Sequence, residues 1–211
     1  MIAITRRTAL QFGLLCLAAP AVRAQENPAA PDWRSKLVEA GREQIGVTTF
    51  YDPAYVRLGY PGGDVAPDRG VCTDVIVRAY RRAFNLDLQK LVHEDMAANF
   101  AAYPKTWGLK ATDRNIDHRR VGNLAAFFGR KGASLAVSED PADFQPGDLV
   151  TQMLPGNLPH IVIVSSERSA DVPGRPLVIH NISGRAPARR TRCSPSSRPG
   201  ITVSCLPDGV S

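Results

Sequence analysis

The chain has 211 residues, 44% of them hydrophobic and 22% charged, with a formal net charge of +6. That length suits one domain with a single sizeable core. The positive charge does not belong to the body: Arg6, Arg7 and Arg23 lie at the N-terminal end, and residues 183–211 hold five arginines against Asp208, leaving residues 25–182 near −1. A nucleic-acid partner needs a basic surface built into the folded unit, so nucleic acid is set aside.

Residues 1–24 read as an export signal. Arg6 and Arg7 precede an uncharged run from Ala9 to Val22, and Val22-Arg23-Ala24 offers a cleavage site before Gln25. Thr5-Arg6-Arg7 suits twin-arginine export as well as a Sec signal. The run is shorter than the about 20 residues of a membrane span, and Leu15 stands before Cys16 where a lipoprotein signal has a small residue. The expected mature chain is therefore periplasmic or secreted, with no membrane span. In an oxidising compartment Cys193 and Cys205 can close a short disulfide loop, which leaves Cys72 odd. The plain reading of such a thiol is a buried small hydrophobe. No C-x-x-C pair supports thiol–disulfide exchange.

Asp32 caps a predicted short helix carrying Trp33, Leu37, Gly41 and Ile45 and stopping at Gly46. A loop from Thr48 to Gly70, with Tyr51-Asp52-Pro53 and Tyr60-Pro61-Gly62-Gly63-Asp64 as turn chemistry, delivers the chain to Cys72. There Val75, Ile76, Ala79, Tyr80 and Ala83 repeat as one face of a helix ending near Asn85. A second helix presents Leu88, Leu91, Val92, Met96 and Phe100 until Tyr103-Pro104 breaks it. A third covers Val121 to Arg130 with Val121, Leu124, Ala125 and Phe128 inward.

Short β-branched runs follow at Leu149-Val150, Ile161 to Val164, Leu177 to Ile179 and Ile201 to Val203, separated by Pro, Gly and Asp. The second and third of these are expected to form an antiparallel hairpin whose open end carries His160 and His180. Helices first and a sheet later predict an α+β layout with helices packed on one sheet face. Residues 25–182 form the predicted domain, and 183–211 an Arg/Pro/Ser-rich tail with one final strand.

Cys72 falls in the first turn of its helix, where unpaired N–H groups and the peptide dipoles favour an anion. A thiol hydrolase needs an imidazole in reach of the sulfur and a polar group to orient that imidazole. His160 suits the first role and His180 the second, although a single histidine on a strand is more often structural. His93 sits beside its helix's apolar stripe and reads as solvated. His118 lies in the polar run Asp113–Arg120, where Asp117 suits a cap for the next helix. A zinc site from Asp117, His118, His160 and His180 has no supporting motif, and no cofactor is expected.

Tyr60-Pro61-Gly62-Gly63, Cys72 at a helix start, Phe144-Gln145-Pro146-Gly147-Asp148-Leu149-Val150 and His160-Ile161-Val162-Ile163-Val164 resemble, in that order, the signature of NlpC/P60-type cell-wall peptidases. Asp68–Val75, Asn115–Val121 and Leu154–His160 are similar to the exported bacterial YijF-like proteins. The resemblance implies a papain-like fold, a helical half packed on an antiparallel sheet, and a Cys72–His160–His180 triad. It implies a peptide bond of the peptidoglycan stem as substrate. The oxyanion is then expected at the Cys72 N–H and one further donor, Tyr60 or Tyr51.

Two departures stand out. Val71 precedes the cysteine where those enzymes usually have Asp, and Thr73-Asp74 follow it in place of Ser-Gly. Asp74 is therefore expected either to cap the helix or to bind a substrate amine. Residues 183–200 match nothing in the group. The alternatives are a non-catalytic wall-binding module of the same fold, and a thiol hydrolase or effector acting on another amide or acyl substrate.

Overall fold

A computed structural model describes residues 32–182 and the backbone of a last strand, Gly200–Cys205. The predicted signal, most of the tail and the Cys193–Cys205 bridge lie outside the described residues. Asp32 opens the first helix, α1 (Trp33–Arg42), by accepting the Ser35 N–H at 2.8 Å, as an N-cap aspartate does. The loop expected over 48–70 is largely present, but Phe50–Tyr51 (β1) and Arg69–Gly70 (β2) pair in parallel within it. The second helix, α2 (Cys72–Phe84), ends on Asn85 in the left-handed conformation (φ 55°), which asparagine tolerates better than most residues.

The third helix, α3 (Leu88–Ala98), starts at Asp87, whose carboxylate accepts the Gln89 N–H at 3.1 Å. It is shorter than its apolar stripe suggests. Asn99 leaves helical geometry, and Phe100–Ala102 continue as a 3-10 turn. The fourth, α4 (Val121–Arg130), has the predicted span but a rotated inner face: Asn123 and Phe127 are buried with Val121 and Leu124, while Ala125 is exposed. The Asn123 side chain causes the rotation, because its amide donates to the Asp117 carbonyl at 3.0 Å and holds that flank inward.

Four antiparallel strands follow in the order β3 (Leu149–Leu154), β4 (Leu158–Arg168), β5 (Pro176–Ile182) and β6 (Gly200–Cys205). Each contains one of the predicted β-branched runs. The predicted hairpin is β4–β5, with Ile163 opposite Ile179 and Val164 opposite Val178. Strand alternation then divides the side chains between two faces. Ile161, Ile163 and Ile179 join Leu37, Val75, Ile76, Leu124 and the other helix residues in the main core. Val150, Val162, Val164 and Val178 gather on the opposite face with Phe144. The fold class is α+β, with the helices against one face of the sheet. Among the described residues no helix is long and apolar enough to cross a membrane.

Gly41 lets α1 lie close on this sheet. A Cβ there would stand 3.1 Å from Ile163 Cδ1 and 3.4 Å from Ile179 Cδ1, so a branched side chain has to displace those two isoleucine ends. Gly41→Val is expected to lower stability by about 1–3 kcal/mol, the usual cost of overpacking, read as a lower urea midpoint at unchanged m-value.

Candidate functional site

The start of α2 has no hydroxyl or amide at its N-cap, since Val71 stands there. Asp74 at N3 supplies the reciprocal half of a capping box: its Oδ2 takes the Val71 N–H at 2.7 Å. The same carboxylate receives Arg119 through two contacts, Nε to Oδ1 and Nη2 to Oδ2, both 2.9 Å. The pair is buried, with side chains 4% and 2% exposed. Arg119 also donates to the carbonyls of Ala54 (3.0 Å) and Asp52 (3.2 Å). Of the two roles expected for Asp74, the structure shows the cap. Its oxygens are engaged by the protein and turned away from solvent, so the substrate-amine role has no geometric support.

Gly70 is required beside this pair. Its φ of +156° and a would-be Cβ only 2.9 Å from Asp74 Oδ2 exclude a side chain. Its carbonyl accepts the Asp52 N–H at 3.0 Å and the Asn181 amide at 2.9 Å. β1, β2 and β5 are thereby tied together directly ahead of Cys72.

His160 on β4 and His180 on β5 meet edge to face, Nε2 to Nδ1 at 2.8 Å, with ring centroids 5.1 Å apart. The expected histidine pair is therefore present. Cys72 lies against the same strand, and the backbone N–H groups of Ile161, Thr73 and Cys72 itself support its sulfur. Ile161, the residue after His160, packs with Cys72 in the helix-side core, whereas strand alternation sets His160 with Val162 and His180 with Val178 on the other side of the sheet.

All three side chains belong to residues no more than 4% exposed. Burial pushes the Cys72 thiol up to about 11, with the Asp74 charge adding to the rise and the backbone N–H groups opposing it. The lowered thiol pKa expected from the helix start is overturned here, because loss of water outweighs the dipole of one helix end. Burial likewise depresses His160 to about 3, with the charge of His180 contributing, and His180 to about 4. At neutral pH the site holds a neutral thiol and two neutral imidazoles. A cleft of about 440 Å³ lies elsewhere, bounded by Arg34, Val38 and Arg42 of α1 with Pro146 and Ser166.

The two tyrosine candidates separate. Tyr51 sits on β1 opposite Gly70, and its phenol is pushed up to about 12 by burial first, then by the charges of Cys72 and Asp74, against Arg119. Tyr60 stands against His93, ring centroids 5.4 Å apart, and feels Glu94 and Asp87 of the α3 region. The turn that carries it lies against His93 of α3.

The control histidines also differ from expectation. His93 is not simply solvated, because its Nδ1 contacts Asp117 Oδ2 at 2.9 Å. Asp117 does not cap α4. It heads a 3-10 turn (Asp117–Arg119), and Arg120 is the α4 N-cap, without a side-chain bond. His118 is fully buried despite its polar run, and burial, with the charge of Arg119 adding to it, lowers it to about 4. The set imagined for zinc is split between the His93–Asp117 and His160–His180 contacts. Among the described residues no group of three or more candidate ligands comes together.

The model of a family described as a domain of unknown function, DUF1287, matches residues 38–192. The chain belongs to the DUF1287 family. It is 55% identical over 150 residues, 71% of this chain and 72% of the relative, to the Escherichia coli (strain K12) protein named "Uncharacterized protein YijF". No solved structure matches. The DUF1287 match takes in Tyr51, Cys72, Asp74, Arg119, His160 and His180, so the whole constellation lies within the family's domain.

Sequence reasoning missed Arg119 and Asn181. Asp74 three residues beyond the N-cap is a capping-box spacing, so the cap was open to discovery. Nothing in spacing shows that a residue 45 positions away closes over it.

Two outcomes follow. Arg119→Met leaves the Asp74 charge buried without its partner and is expected to cost about 3–5 kcal/mol; the Asp74→Asn/Arg119→Met double variant should recover part of that loss in urea unfolding. The three buried imidazoles are lowered from an unfolded value near 6.5 to about 4, 3 and 4 for His118, His160 and His180. The unfolded chain takes up those protons first, so their contribution is complete above about pH 6.5 and is lost as pH falls toward 3–4, each at about 1.4 kcal/mol per pH unit. Urea midpoints between about pH 7.5 and pH 4.5 should fall steeply, and His118→Gln should flatten the slope.

Proposed function

We propose that this protein is an exported papain-like cysteine hydrolase of the NlpC/P60 type that cleaves amide bonds, with the stem peptides of peptidoglycan as its substrate. One observation carries the reading: His160 on β4 and His180 on β5 meet at 2.8 Å, and Ile161, the residue after His160, packs in the same core as Cys72. Thiol, base and orienting group occur in the chain order that the resemblance implies. The leader-like residues 1–24 supply the export.

In this reading His160 Nε2–H donates to His180 Nδ1, which leaves the lone pair on His160 Nδ1. Burial leaves His160 unprotonated but a weak base, so in this reading substrate binding has to raise its basicity before it takes the thiol proton. The Cys72 sulfur attacks the amide carbon as its proton passes to His160. The carbonyl oxygen becomes an oxyanion, held by the Cys72 N–H and the Tyr51 phenol. As the C–N bond breaks, His160 returns the proton to the departing amine, leaving a thioester on Cys72. A water then gives a proton to His160 and its oxygen to the acyl carbon. The C–S bond breaks, the thiol recovers its proton, and a carboxylic acid leaves. Because the resting thiol is neutral, proton transfer accompanies attack, with no standing thiolate–imidazolium pair.

A second reading has one observation in its favour. The burial of Cys72, with its thiol pushed up to about 11, suits a non-catalytic wall-binding module of the same fold. Digestion of purified sacculi separates the two. The wild type should release soluble fragments with new amine and carboxyl termini by mass spectrometry, and Cys72→Ala should lose at least about 100-fold, as removal of a nucleophile does. Equal product from wild type and Cys72→Ala, or retention on sacculi without cleavage, would overturn the hydrolase. EDTA should leave the rate unchanged.

A further inference from the structure

We infer that Asn181 is a positioning residue: by holding the Gly70 carbonyl it fixes the approach to Cys72 relative to the strand that carries His180. The consequence for turnover rests on the hydrolase reading, while the clamp itself rests on geometry alone.

Asn181 is fully buried and follows His180 directly on β5. Its Nδ2 donates to the Gly70 carbonyl at 2.9 Å, across 111 residues of sequence, and its Oδ1 has no partner among the described residues. The orientation of the amide is thereby fixed, since turning it over would set two oxygens against each other and leave a buried N–H unpaired. Gly70 cannot shift freely, because it lies between the Asp74 carboxylate and the Tyr51 backbone opposite it. Val71 alone separates it from the nucleophile. The alternation of β5 places His180 on one side of the strand and Asn181 on the other. One dipeptide therefore touches both halves of the site: His180 orients His160, and Asn181 orients the segment that delivers the sulfur. The titratable and charged groups around Gly70 are Asp74, Cys72 and Arg78 on α2, Tyr51 on β1 with Asp52 after it, Arg69 on β2, and Arg119 from the 3-10 turn.

The test uses Asn181→Asp in the full chain. The two side chains have the same shape, but only a protonated carboxyl can donate to Gly70, so the clamp becomes switchable by pH. Iodoacetamide alkylation of Cys72 is measured against wild type from about pH 5 to about pH 9, spanning the range in which a carboxyl raised by burial ionises. The expected ratio of variant to wild type is near one at the acid end. It rises at least tenfold as the carboxylate forms, repels the Gly70 carbonyl and releases the thiol from its covered position. Asn181→Ser, too short to reach and without charge, should give a rise that does not depend on pH, and it keeps the question open to test if the aspartate variant does not fold. A ratio that stays flat for Asn181→Asp, or wild-type alkylation in Asn181→Ser, would falsify the clamp. On sacculi, kcat of Asn181→Asp should fall with the same midpoint while KM holds. A wild type inert toward sacculi would sink the hydrolase reading and leave the alkylation result standing.

Discussion

The buried ion pair of Asp74 and Arg119 is the contact on which the rest of the site depends. Asp74 acts twice, as the cap of the helix that begins with Cys72 and as the partner of a guanidinium that also grips the Asp52 and Ala54 carbonyls. An ion pair removed from water is a weak source of net stability but a demanding one in geometry, because each partner is costly without the other. Here that demand sets position. The strap that carries Tyr51, the glycine that no side chain can replace at residue 70, and the first turn of α2 are all referred to one carboxylate.

Around that pair the site is dry, and dryness decides its chemistry at rest. Helix N-termini favour thiolates, and three backbone N–H groups do support the Cys72 sulfur. Yet the cost of an unpaired buried charge exceeds what those dipoles return, and the thiol stays protonated. The same loss of water holds His160 and His180 neutral. A neutral thiol and two neutral imidazoles are stable and unreactive by themselves, a state suited to a nucleophile uncovered by substrate and equally to a thiol that does no chemistry.

Much of this was legible in the chain. Asp32, Asn85 and Asp87 mark helix ends by their own side chains, and the α4 limits follow from the apolar repeat and its flanks. The histidine pair was legible too, because a hairpin brings its open end together. What failed, failed through side-chain contacts across long separations. Asn123 rotated the face of α4 by bonding the Asp117 carbonyl, and Asp117 turned to His93 and left α4 uncapped.

By itself the sequence determined the elements, their order and the residue types at the site, since caps, periodicity and β-branched runs act over a few residues. Tertiary structure alone decided that Tyr51 pairs opposite Gly70, that Asp74 faces Arg119, that Asn181 holds Gly70, and that the thiol is shut away from water. These are properties of packing between segments far apart in the chain, where solvent exclusion sets the strength and sign of every polar interaction.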